Sequence, residues 1–489
     1  MLPARRRPRS KQRPEPTTVR PSGNVPPVKP VLLIDAVGLA ERHIGPETPH
    51  LEALRRRGCG APMSTVLPAV TCSAQATLLT GTTPSEHGAV GNGWYWRDLG
   101  EVLFWRQPNR IVRGEKLYEA ARRRDPNFTC AKVFWWWNMG APVDWSITPR
   151  PFYPADGRKI VAVYGAPHTY AERLESELGA FPFFDFWGPK SGLPSSRWIA
   201  DATISTLERE RPTLTLCYLP HLDYSHQRLG PDAPESKDAI VELDTLIGDL
   251  VAAADKVGAE TVVVSEYAIE PVSRQVHANR ALREAGLLAV RDTPDGEILD
   301  VFASRAFAVA DHQLAHVYCA DGAAEQSARE VLESLAGVDT VLDRDGQRRH
   351  GLDHERTGEL VALASPDAWF TYYYWLDDAR APDFAPTVDI HRKPGYDPAE
   401  LFTDPKLVVP AVRVARRLAQ KKLGFRYLMD VIPLDGAQVK GSHGRLPASP
   451  ERGPTFLSSA PFSALGGEPE NGVVEMTSVK QRVLDLLSR

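Results

Sequence analysis

Val31-Leu32-Leu33-Ile34-Asp35 is an unbroken apolar run closed by a carboxylate. An apolar stretch without polar alternation predicts a strand buried on both faces, the kind found in parallel sheets. Thr213–Leu219 and Thr261–Ser265 repeat the pattern. Among these strands, apolar residues spaced near a 3.6 period predict helices over Thr48–Arg57, Lys116–Arg124, Ser195–Arg209 and Lys237–Lys256. Thr71–Leu79, rich in small and apolar residues, is read as a further helix. Strands alternating with helices predict an α/β fold with a mostly parallel central sheet sandwiched by helices. No internal repeat interrupts the alternation.

Two stretches depart from it. Residues from about 95 to 195 contain Phe134-Trp135-Trp136-Trp137-Asn138 and many Pro, Gly and aromatic residues, and residues from about 290 to 425 contain Tyr372-Tyr373-Tyr374-Trp375. Both are read as insertions into one domain covering residues 31–489. Residues 1–30 are rich in Arg, Pro and Lys and nearly free of large apolar side chains, which predicts a disordered basic tail.

Composition narrows the class. An apolar fraction of 43% and a charged fraction of 25% are those of a soluble globular protein. A net charge of −4 carries no signature of nucleic-acid binding. No apolar run reaches the ~20 residues that span a membrane, and Arg5-Arg6-Arg7 is not followed by the apolar segment of an export signal. The five cysteines are scattered, odd in number and without a Cys-x-x-Cys pair. That pattern speaks for reduced thiols and a cytoplasmic protein, and against a disulfide framework or a thiolate zinc site.

Candidate chemistry starts at two positions. Asp35 ends a buried strand, so it belongs at the ligand-binding edge of an α/β sheet. Thr71 opens a helix of small residues and can present its hydroxyl beside that helix's free N–H groups. Together they point to a metal-activated alkoxide nucleophile next to an anion site.

The surrounding motifs resemble the alkaline phosphatase superfamily, in its type I phosphodiesterase/nucleotide pyrophosphatase branch. Thr71 is followed by Thr80-Gly81, Pro84-Ser85-Glu86-His87-Gly88 and Gly91-Asn92-Gly93-Trp94-Tyr95, and preceded by Thr48-Pro49-His50-Leu51. Asp223, ahead of Gly230-Pro231, is similar to the family's Asp-x-x-x-His-x-x-Gly-Pro loop, with His226 one residue nearer than usual. Ser265-Glu266-Tyr267-Ala268 stands where the family has Ser-Asp-His-Gly, and Gly441-Ser442-His443-Gly444 resembles the segment of its last metal-binding His. Insertions between core strands form a substrate cap in this family, which gives that role to the two aberrant stretches.

The resemblance implies a metal-dependent hydrolase of small phosphoric diesters or pyrophosphate-type anhydrides, with Thr71 as catalytic nucleophile. It implies two divalent ions held by Asp35, Thr71, Asp223, His226, Glu266 and His443. Zinc is the family's metal, with manganese or magnesium suited to the position where Tyr267 replaces imidazole. His277 is a possible additional ligand, with Asp311-His312, His316 and Asp389-Ile390-His391 also weighed. The family's Asn three residues after the nucleophile is Ala74 here, so Gln75, Asn92 or Arg228 would hold the substrate phosphate. A phosphomonoesterase, a phosphonate hydrolase, or a binding protein that keeps the fold without turnover are the alternatives. Sulfatases are disfavoured because Cys72-Ser73-Ala74-Gln75-Ala76 lacks their Pro and Arg, and phosphoglycerate mutases because they carry a Ser nucleophile.

Overall fold

Val31–Ala36 is buried at all six residues because it has a parallel neighbour on each side, Leu214–Leu219 and Glu260–Val264. The computed structural model describes residues 29–489 except 156–158, 408–409, 424 and 426–427. The tail expected over residues 1–30 lies outside the described residues as far as residue 28. Across the eight-stranded central sheet the order is Cys59–Pro62, Thr455–Ser458, Glu260–Val264, Val31–Ala36, Leu214–Leu219, Cys130–Val133, Trp145–Pro149 and Val163–Ala166. The five strands from Glu260–Val264 to Trp145–Pro149 are mutually parallel, and antiparallel pairings close both edges.

Alternate side chains of Val31–Ala36 feed two cores. Val31 and Leu33 pack with helices Thr71–Thr80, Leu117–Arg124 and Val479–Leu487 on one face. Leu32 and Ile34 pack with Pro49–Arg57, Leu193–Arg209 and Pro234–Lys256 on the other. Buried Asp244 on the long helix accepts the first-turn N–H groups of His50 and Leu51, so one carboxylate ties two helices of that layer together.

The stretch from about 95 to 195 is not all insertion: Cys130–Val133, Trp145–Pro149 and Val163–Ala166 are strands of the central sheet. They escape notice in the sequence because they are short and because Lys132 breaks the apolar run of the first. Lys132 is nonetheless buried, donating from Nζ to the Trp137 carbonyl at 2.7 Å. The stretch from about 290 to 425 builds a separate four-stranded antiparallel sheet, ordered Ala306–Asp311, Leu314–Cys319, Leu360–Ala364, Val338–Leu342. The Tyr372–Trp375 run is buried in the core of this lobe.

Lys132 sets one pH dependence. Burial pushes its ammonium down from 10.5 to about 7. Between those values the unfolded chain binds a proton that the folded chain does not, so this residue's contribution to stability rises with pH across that window. Denaturant titrations should therefore show wild type gaining on Lys132→Met as pH rises from 7 to 10. A difference independent of pH would contradict the assignment.

Candidate active site

Three neighbouring parallel strands deliver the central residues. Asp35 lies at the C-terminal end of Val31–Ala36, Glu266 and Tyr267 follow Glu260–Val264, and Asp223 follows Leu214–Leu219 in the first turn of helix His221–Leu229. Thr71 opens helix Thr71–Thr80, and His443 follows the short strand Gly441–Ser442. Because the strands run parallel, these chain turns converge on one edge of the sheet.

The contacts form a connected group. The Thr71 Oγ1 and Tyr267 Oη hydroxyls are 3.2 Å apart, and Tyr267 Oη donates to Asp223 Oδ1 at 3.4 Å. The Tyr267 ring lies flat on the His443 imidazole, with centroids 3.6 Å apart and planes 7° from parallel. His443 Nδ1 bonds the Ala69 carbonyl at 2.7 Å, which fixes the proton on Nδ1 and leaves Nε2 a bare acceptor, 3.8 Å from Asp223 Oδ1. Burial holds His443 down to about 3, so this imidazole is neutral at physiological pH.

Asp35 and Glu266 are fully buried side by side. Burial raises Asp35 well above the usual carboxylate range, and the neighbouring Glu266 charge raises it further. Burial also raises Glu266, offset in part by the polar groups beside it, Asp35, Gln75, Thr71 and Tyr267. Both Asp35 oxygens and Glu266 Oε2 lack a hydrogen-bond partner. Burial pushes Asp223 up to about 7.

Gln75 is committed to the site's architecture. Its Nε2 donates to Glu266 Oε1 at 2.7 Å while its Oε1 accepts from the Trp136 N–H at 2.5 Å. Asn92 stands against the first turn of the Thr71 helix, its Oδ1 accepting from the Cys72 N–H at 3.0 Å and its Nδ2 donating to buried Asp311 at 3.1 Å. Three other expected residues are placed elsewhere. Arg228 is tied to the carbonyls of Pro189 and Ser191. His226 faces His43, ring centroids 5.6 Å apart. Helical geometry explains it, since the expected loop is helix His221–Leu229, where the residue four positions after Asp223 is Gln227. Gln227 stands near Asp223, and its Oε1 accepts from Tyr396 Oη at 3.0 Å. His277 bonds Thr371 Oγ1 at 2.8 Å and stacks on Tyr373.

The imidazole that does enter is His312. It sits at the two-residue tip of the hairpin joining Ala306–Asp311 to Leu314–Cys319, at φ 61°, a conformation disfavoured for a non-glycine residue. The tip is docked by the Gln313 N–H on the His443 carbonyl at 2.8 Å. The His312 ring lies between His443 and Tyr396, at 3.7 and 3.6 Å, with both nitrogens unpartnered.

A pocket opens over Thr71, Asp223, Tyr267 and His312. Its walls are Trp105, Trp136, Phe183, Phe186 and Trp187, with Arg150, Lys159 and His391 also facing it. Both aberrant stretches of the sequence thus line the same cavity. Of the Phe134–Trp137 run, Trp136 lines the pocket, while Trp135 and Trp137 are core residues.

The sequence profile of the type I phosphodiesterase/nucleotide pyrophosphatase family matches residues 31–397. The chain belongs to this family. Among curated family relatives, an uncharacterized pyrophosphatase/phosphodiesterase of Schizosaccharomyces pombe is 24% identical over 232 residues, which cover 46% of this chain and 41% of that protein. The phosphodiesterase fold is also seen in solved structures. Phosphonoacetate hydrolase from Sinorhizobium meliloti, in complex with phosphonoformate, superposes with a TM-score of 0.59 at 16% identity, covering 94% of this chain and 96% of that one. Murine ectonucleotide pyrophosphatase/phosphodiesterase 5 in complex with AMP superposes with a TM-score of 0.56 at 14% identity, covering 94% and 95%.

The family's divalent ions can be tested against the donors present. Asp35 and Glu266 offer three buried, unpartnered carboxylate oxygens beside the Thr71 hydroxyl, an all-oxygen cradle suited to one hard cation such as manganese or magnesium. Asp223 and His443 offer only two donors for another ion. Among the described residues no group of three or more His, Cys, Asp or Glu side chains is arranged to hold a metal ion. Among them, too, no helix is long and apolar enough to cross a membrane.

Proposed function

We propose that this phosphodiesterase-family protein is a metal-dependent hydrolase of small phosphoric diesters or pyrophosphate-type anhydrides, with Thr71 as covalent nucleophile. The observation that carries the reading is the Thr71 hydroxyl at the pocket floor, at a helix N-terminus, beside the unpartnered oxygens of Asp35 and Glu266. Asp35, Glu266 and Thr71 would hold the ion. When bound, it supplies Lewis acidity that lowers the pKa of the Thr71 hydroxyl.

The chain's own residues do the rest. Gln75 fixes the Glu266 carboxylate, and Asn92 braces the first turn of the Thr71 helix. The positive end of that helix favours an anionic phosphoryl group at Thr71. Thr71 Oγ1 bonds to phosphorus as the alcohol or nucleotide leaves, and water then hydrolyses the phosphothreonine. The aromatic walls suit a flat organic substituent on the phosphate, and Arg150 and Lys159 add positive charge where substrate enters. All five cysteines are unpaired thiols, in keeping with a reducing, cytoplasmic setting.

The test is hydrolysis of bis(p-nitrophenyl) phosphate by protein loaded with manganese and, separately, with zinc. Phosphonoacetate and p-nitrophenyl phosphate run alongside separate diesterase from phosphonate hydrolase and monoesterase activity. Diester turnover that chelator removes and added ion restores is expected. No release from the diester with either metal would contradict the proposal.

A further inference from the structure

We propose that Tyr267 takes the place of a second metal ion: its hydroxyl positions the Thr71 nucleophile against Asp223, so the protein works with a single divalent ion at Asp35 and Glu266. The inference deepens the hydrolase reading and rests on it for the kinetic part of its test.

Tyr267 sits between the two groups that a bridging cation would join. Its hydroxyl is 3.2 Å from Thr71 Oγ1 and 3.4 Å from Asp223 Oδ1. Its ring is clamped by the face-to-face contact with His443, and the residue is buried. A phenol held this way fills the space between Thr71 and Asp223. The donors on that side are also too few. Asp223 Oδ1 already accepts from Tyr267, and Gln227, one helical turn further on, has its Oε1 taken by Tyr396. Asp223 and His443 are then two donors, no third His, Cys, Asp or Glu among the described residues completes a metal-holding group with them, and a closed ion site needs about four ligands. The Asp35–Glu266 side is the opposite case, with three unpartnered carboxylate oxygens.

A hydroxyl and an ion do different work at Thr71. An ion neutralises negative charge, whereas the Tyr267 hydroxyl fixes direction: it restrains the Thr71 side chain so that its oxygen faces the pocket. Tyr267 is therefore a positioning residue. Removing its hydroxyl should slow chemistry without weakening substrate binding.

The experiment counts ions first and measures rates second. Wild type, Tyr267→Phe, Tyr267→His and Glu266→Gln are dialysed against manganese and, in parallel, zinc, and metal per chain is read by elemental mass spectrometry. One ion is expected in wild type and Tyr267→Phe, and none in Glu266→Gln. Tyr267→His should gain a second ion, because it restores an imidazole beside Asp223 and His443. On the diester, Tyr267→Phe should lose about tenfold to a hundredfold in kcat with KM unchanged, the usual cost of removing a hydrogen bond that orients a metal-site group. The phenyl ring keeps the stacking on His443, so a purely structural role would leave kcat in place. Two ions per wild-type chain, or wild-type kcat in Tyr267→Phe, would overturn the inference. The ion count needs no substrate, so failure of the hydrolase reading itself would appear separately, as absent turnover with one ion bound.

Discussion

Thr71→Ala is expected to lower the diesterase rate by at least about a thousandfold while leaving the bound ion and the fold in place. In the proposed mechanism the hydroxyl bonds to phosphorus, whereas the Asp35 and Glu266 carboxylates would supply most of the ion's affinity. Truncation should be structurally mild, because Thr71 makes its hydroxyl contacts to Tyr267 and Glu266 and carries no backbone cap. Thr71→Ser should keep partial activity, since it retains the oxygen but loses the methyl that restricts χ1. Rates and metal content of both variants, loaded with manganese and with zinc, check this. Wild-type turnover by Thr71→Ala would remove the phosphothreonine from the mechanism.

Asp35→Asn should abolish ion binding and raise the stability of the ion-free protein. Two fully buried carboxylates face each other here, and three of their oxygens have no hydrogen-bond partner. Without an ion, that arrangement costs both desolvation and mutual repulsion. An amide at Asp35 removes one charge and offers an N–H to Glu266, worth about 1 kcal/mol or more. Thermal unfolding with and without manganese reads both effects. Wild type should melt lower without ion and rise on adding it, as binding to the native state requires, while Asp35→Asn should start higher and not respond. An Asp35→Asn variant still stabilised by manganese would place the ion elsewhere. This trade between stability and a buried, charged site is common where activity depends on it.

Much of this geometry was readable in the sequence because parallel-sheet physics puts chemistry where apolar strands end. Asp35 stands at the end of such a strand, Asp223 and Glu266 each follow one, and Thr71 opens a helix that packs on the same sheet. His443 stood out through its Gly-x-His-Gly setting. The reading ran out where placement depends on tertiary contacts. His226 stands three residues after Asp223 on helix His221–Leu229, and only the fold shows that its ring lies against His43. His277 follows Tyr267 closely in sequence, which makes it the natural extra imidazole there, yet its ring bonds Thr371. His312 comes from a hairpin tip whose docking on the His443 loop has no local sequence signal. Arg228 lies on the site's helix but is spent on the carbonyls of Pro189 and Ser191. Tyr267 was visible as a departure from the expected imidazole, while its hydroxyl contacts to both Thr71 and Asp223 could be known only from the fold.

The stereochemical course at phosphorus tests the covalent Thr71 mechanism most directly. A chiral phosphorothioate diester is hydrolysed in ¹⁸O-labelled water by the manganese-loaded enzyme, and the configuration of the labelled product is assigned. Two successive in-line displacements, first by Thr71 and then by water, predict net retention. Inversion would mean that water attacks phosphorus directly, and would contradict the central role given to Thr71.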